Sequence, residues 1–174
     1  MSDHLMSIAS KIKERFPEAV TDIREFRGEV TVVVERQAIV EVATFCRDDD
    51  DLRFNLLSSL SGVDYWPEEP RFAVNYVLYS LDHNHTIRLK TYAPGNDAVV
   101  PSVTGVWKGA NWPEREVWDM FGVKFEGHPD LRRILLPYDW TGHPLRKDYP
   151  LGHEEVQFSF NYERVQSRKP HPKE

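Results

Sequence analysis

The chain has 174 residues, 40% hydrophobic and 29% charged, with a net charge of −6; this is room for one domain with a real core, and the acidic balance argues against nucleic acid, which needs a basic stripe. A single cysteine, Cys46, excludes an internal disulfide and falls short of the roughly four ligands of an iron–sulfur cluster. No run approaches the roughly 20 apolar residues of a membrane span, and the opening MSDHLMSIASKIKERF lacks a secretory core, so a cytoplasmic location is expected, with the membrane reached only through another protein.

Leu5, Ile8, Ile12 and Phe16 recur at helical spacing and predict an amphipathic helix ended by Pro17. Residues 20–26 and 29–35 are extended and β-branched around Arg27-Gly28, which predicts a hairpin. Ile39, Val42, Ala43 and Cys46 mark a second helix, with Cys46 on its apolar face as an inert thiol. The acid run Asp48, Asp49, Asp50 and Asp51 is its solvated exit, without the convergent oxygens of a cation site. Leu52, Leu56, Leu57 and Leu60 suit a short helix stopped by Gly62. Phe72, Val74, Tyr76 and Leu78 alternate as a strand, as do Ile87, Leu89 and Thr91, and the turn LDHNH joins them. His83 and His85 there read as a polar turn rather than a metal site. Helices and hairpins without regular βαβ alternation predict an α+β fold, a mainly antiparallel sheet packed with helices.

The character changes near residue 105. Eight of the twelve prolines lie at or after Pro101, so residues 127–150 can form neither a long helix nor a central strand. Yet Leu131, Ile134, Leu135, Leu136, Tyr138, Trp140, Leu145 and Tyr149 fall there. Such a Pro-rich extended segment must lie on a surface, its own domain's or a partner's. Two parts are expected: residues 1–122, an α+β globular domain, and residues 123–174, an extended partner-binding segment.

The stretch NWPEREVWDMFG, residues 111–122, predicts a helix. Asn111 and Glu114 suggest a capping box, Val117, Met120 and Phe121 an apolar face, Arg115 and Asp119 an i, i+4 pair, and Gly122 the C-terminal stop. It is either a capped surface helix or an interface helix. Arg132, Arg133, Arg146, Lys147 and Asp148 add directional charges, and aromatic and Arg enrichment marks interface hot spots. His128, His143 and His153 read as structural. Glu114, Glu116 and His128 as an acid–base set would make a free-standing enzyme, but nothing supplies the rest of an active site. No nucleotide-binding or hydrolase motif is present.

The run EREVWDMFGVKFEGHPDLRRIL resembles the pattern of the 30-kDa subunit family of respiratory complex I. It has Glu114-Arg115-Glu116, then Asp119, Met120-Phe121, His128, Arg132 and Ile134-Leu135 at the family spacing. The stretch through Lys147-Asp148-Tyr149-Pro150 is also similar, and LLSSLSGVDY more loosely so. The resemblance implies a cofactor-free, unfused subunit of a bacterial NADH:quinone oxidoreductase. FMN, iron–sulfur clusters and quinone would be held elsewhere in the parent complex. It implies a place in the hydrophilic arm, on the cytoplasmic side of the bacterial inner membrane. The implied partners are the quinone-site (49-kDa-type) subunit and the subunit holding the terminal cluster. The equivalent subunit of a membrane-bound hydrogenase or a ferredoxin–plastoquinone reductase is the alternative. The resemblance leads us to expect partner contacts from Glu114, Arg115, Glu116, Asp119, His128, Arg132, Arg133, Trp140, Arg146, Lys147 and Asp148, and no catalytic, cofactor or metal residues.

Overall fold

Leu5, Ile8, Ala9 and Ile12 form the buried stripe of α1 (Ser2–Arg15), and Ile39, Val42, Ala43 and Cys46 that of α2 (Ile39–Asp48). The computed structural model describes residues 2–152 and 160–171, so His153 lies outside the described residues. Both stripes join one core with a five-stranded sheet. Its strands are β1 (Val20–Phe26), β2 (Glu29–Val34), β3 (Leu56–Asp64), β4 (Phe72–Ser80) and β5 (His85–Ala93), in the order β1-β2-β5-β4-β3. The pairings are antiparallel except β2 with β5, which run parallel. The fold is α+β with a mostly antiparallel sheet. Strand alternation sends Val30, Val32, Val34, Phe72, Val74, Tyr76, Leu78, Ile87 and Leu89 into the core, while Arg88, Lys90 and Tyr92 stay half-buried on the opposite face. Arg27 and Gly28 adopt φ of 52° and 83°, the left-handed pair that a tight hairpin requires.

The short helix expected over Leu52 to Leu60 does not form; Leu56, Leu57 and Leu60 lie instead in strand β3. A register irregularity between Leu57 and Ser59 breaks the alternation that would have revealed it. Gly62 does not stop a helix; it admits one. A Cβ there would stand 2.8 Å from the Phe121 ring and 3.0 Å from Val117, so the missing side chain lets α3 (Asn111–Phe121) lie close on β3. The acid run is also more than solvated: Lys11 Nζ donates to Asp49 at 2.6 Å and to Asp51 at 2.7 Å, tying α1 to the exit of α2. Cys46 is fully buried, and burial pushes its thiol far up.

Two short strands escape the sequence reading: β6 (Val99–Pro101) and β7 (Lys124–Glu126), paired in parallel on either side of α3. Val123 and Phe125, which the sequence places with the C-terminal segment, join the core beside Val100. A final short helix, α4, spans Tyr162–Gln166. No helix among the described residues is long and apolar enough to cross a membrane.

Candidate docking surface

Helix α3 does not begin with a capping box. A 3-10 turn, Lys108–Ala110, leads into it, Ala110 occupies the cap position, and no side chain caps the end. Glu114 is recruited elsewhere. Its fully buried carboxylate accepts Val103 N–H at 2.8 Å and Ser102 Oγ–H at 2.7 Å. Burial raises the carboxyl to about 7, against the lowering by those two donors. His128 is enclosed beside it, with Nε2 4.0 Å from the carboxylate. The His128 Nδ1 accepts Asp130 N–H at 3.0 Å, so Nε2 carries the hydrogen and donates to Asn111 O at 3.2 Å. Glu114 and His128 are shut away from solvent and Glu116 is exposed, so the three do not make an accessible acid–base site.

The Arg115–Asp119 pair expected along the helix does not form either. Arg115 turns to the Pro-rich segment, donating to Arg132 O at 2.9 Å and Arg133 O at 3.0 Å. Asp119, with no exposed surface, receives Arg133 Nη1 at 2.6 Å on one oxygen. Its other oxygen accepts three successive backbone N–H groups, Ile134 at 3.0 Å, Leu135 at 2.9 Å and Leu136 at 3.0 Å. Burial alone would raise this carboxyl; the three N–H groups and Arg133 outweigh it and hold it below the usual range. Arg133 also donates to the carbonyls of half-buried Trp140, at 2.9 Å, and Gly142, at 3.1 Å. The segment that cannot make its own ladder hangs from one helix face by its backbone. Of the two surfaces allowed by the sequence, the segment lies on its own domain's.

Further along, Leu145 N–H donates to Met120 O, Arg146 Nε–H to Phe121 O, and His143 Nδ1–H to Asp119 O. Gly122, at φ of 75°, ends α3, and a Cβ on it would collide with Arg146 and His143. A second clamp holds residues 147–148. Asp64 accepts Lys147 N–H at 2.8 Å and both Nε and Nη2 of Arg71, which also reaches Asp148 at 2.6 Å and 3.0 Å. Sequence reasoning missed Asp64 and Arg71, because their partners lie about eighty residues away and no local pattern marks them.

The expected site residues therefore divide. Glu114, Arg115, Asp119 and Arg133 direct charged groups inward, with His128 enclosed beside them, while Arg146 is half-buried and Asp148 is exposed but paired with Arg71. Glu116 is exposed, Arg132 is exposed and pairs with Asp130, and Lys147 is exposed apart from its bonded N–H. Seven of the eleven exposed large hydrophobic residues among those described lie at or after Trp112, so the apolar surface is concentrated on this part of the chain. Trp112, Leu135, Tyr138 and Leu145 belong to that set, with Tyr138 94% exposed. Large solvent-facing aromatics of this kind mark a docking surface. Among the described residues no group of three or more His, Cys, Asp or Glu is placed to hold a metal ion.

Residues 32–155 match the family described as respiratory-chain NADH dehydrogenase, 30-kDa subunit. The chain is 51% identical over 168 residues to an NADH-quinone oxidoreductase subunit of Roseiflexus sp. (strain RS-1), covering 97% of each. It is 51% identical to the corresponding NADH-quinone oxidoreductase subunit of Geobacter sulfurreducens, covering 81% of this chain and 86% of that one. Among solved structures, the trypsin-resistant fragment (1–134) of Nqo5 superposes with a TM-score of 0.61 at 33% identity, covering 75% of this chain and all of the fragment. A chain of the membrane-bound sulfane sulfur reductase, an archaeal respiratory membrane complex, gives a TM-score of 0.71 at 23% identity over 97% of this chain and 95% of that one, a likeness of fold.

Proposed function

The chain belongs to the 30-kDa subunit family of the respiratory-chain NADH dehydrogenase, and from that premise we propose that its C-terminal third docks it against neighbouring subunits of the hydrophilic arm. It is a non-catalytic, peripheral-arm subunit of NADH:quinone oxidoreductase. It has no cofactor of its own; FMN, iron–sulfur clusters and quinone belong to the parent complex. Its docking surface faces the quinone-site (49-kDa-type) subunit and the subunit holding the terminal cluster, on the cytoplasmic side of the inner membrane. Residues 1–122 are the globular part and residues 123–174 the docking part, tethered to the core through β7. The trypsin resistance of residues 1–134 in Nqo5 supports such a division.

The observation that carries this reading is the division of labour on α3. Its buried charges are used within the chain, Arg115 and Asp119 to hold the Pro-rich segment and Glu114 to hold residues 102–103, leaving Trp112, Glu116, Leu135, Tyr138 and Leu145 outward. Polar groups at the rim of such a surface select the partner and apolar ones supply affinity. The alternative, the equivalent subunit of a related membrane-bound machine, shares the fold; the 51% identity across nearly the whole chain favours the quinone oxidoreductase. The test is Glu116→Arg, since the exposed Glu116 side chain makes no hydrogen bond among the described residues. The variant is expected to melt like the parent and to lower recovery of the assembled arm on native gels severalfold. Full assembly would refute the reading, and co-purifying subunits identify the parent complex.

A further inference from the structure

Arg146 sits between aromatic and cationic neighbours. Its guanidinium carbon lies 5.4 Å from the Phe72 ring centroid, and Arg71 lies 4.8 Å from the same ring. Only Nε of Arg146 is used, on the Phe121 carbonyl; Nη1 and Nη2 donate to no described residue. The two nearby carboxylates, Asp64 and Asp148, are both engaged by Arg71. Burial and the adjacent Arg71 push Arg146 down from its ordinary value, against the opposite pull of Asp148 and Asp64.

Arg146 lines a groove of about 730 Å³. Trp66, Trp118 and Tyr149 line it, Gly122 opens it to Arg146, and exposed Lys124 also borders it. His143 commits Nδ1–H to Asp119 O, so its Nε2, close over Gly122, carries no proton in the neutral ring. Asp148 also lines the groove, but its carboxylate is already held by Arg71; the two cations with free donors beside aromatic walls fit one chemistry. A planar fork takes a carboxylate in a bidentate pair, and the walls cover the apolar stem and backbone behind it. A free small anion would leave most of the volume and the tryptophans unused.

We propose that this groove receives an Asp or Glu side chain of a neighbouring subunit, forked on Arg146 with Lys124 at the rim. The proposal rests on the docking reading above and names the chemistry of the contact. The test uses the complex purified from native membranes and a zero-length carbodiimide, which joins an amine to a carboxylate it touches. The expected product is an amide between Lys124 Nζ and an acidic residue of a neighbour, absent in Lys124→Gln. Arg146→Lys keeps the charge but loses the fork; it is expected to lower, at least twofold, the salt concentration at which half the chain is stripped from the complex. A Lys124 link only to this chain's own acids would overturn the proposal, as would no link or unchanged salt resistance. If Glu116→Arg blocks assembly while Lys124 links to no neighbour, the docking reading stands and the carboxylate seat falls. If neither responds, both fall.

Discussion

Glu114 and Asp119 are both carboxylates without exposed surface, five residues apart on α3, and their surroundings drive them in opposite directions. Glu114 has two donors and a large burial cost, so its folded carboxyl is raised to about 7. A folded value above the unfolded one means that the folded state holds the proton longer. Stability from this group is greatest below about pH 4.5 and declines as pH rises toward 7, by on the order of 3 kcal/mol in all. Glu114→Gln removes that dependence. Urea unfolding of the variant is expected to gain on the parent between pH 5 and pH 8, and a constant difference across that range would refute the assignment. Asp119 has three backbone donors and Arg133, so its value is lowered. Its contribution is present above about pH 4 and is lost as pH falls through the lowered folded value. Asp119→Asn is expected to cost about 2–3 kcal/mol at neutral pH, because charge-assisted bonds to buried donors are replaced by weaker ones.

At the scale of elements, α3 and the Pro-rich segment are one unit. The segment's N–H groups at 134–136 end on the Asp119 carboxylate because proline denies it a strand partner and a helix of its own. Amide exchange at residues 134–136 is therefore expected to quicken at least tenfold in Asp119→Asn, while residues 72–80 in β4 hold their protection. Uniform quickening would mean that the carboxylate supports the whole fold rather than this segment. The same unit shows what sequence can reveal. The apolar face of α3, its Gly122 stop, the β1–β2 hairpin and the β4–β5 pair were legible because each is a local pattern. Strand β3 was not, since its irregular register mimics helical spacing and Gly62 reads as a stop although its purpose is close approach. Nor was the choice of partner for Arg115 and Asp119. Spacing brings them within reach of each other, but a chain segment fifteen or so residues on offers each a better set of bonds.

At the scale of the whole molecule, sequence named the residues proposed to dock without saying which way they point. Composition marked the C-terminal third as adhesive, but the inward turn of Glu114, Asp119 and Arg133 depends on contacts no one-dimensional pattern holds. The outcome is an N-terminal core that buries its apolar stripes and a C-terminal third that leaves Leu135 and Tyr138 largely exposed in the free chain. Mass action then couples folding to assembly: a partner that covers Leu135 and Tyr138 stabilises the chain in proportion to its occupancy. Substituting both with charge, as Leu135→Glu with Tyr138→Lys, is expected to change the unfolding free energy of the isolated chain by less than about 1 kcal/mol, since neither side chain is in the core. The same pair is expected to make the free chain more soluble and to abolish its recovery in the complex, because the anchors of an interface are lost together. Light scattering and native-gel recovery read the two effects on one preparation. A double variant that is less stable but still assembles would show that these side chains support the fold and that the docking surface lies elsewhere.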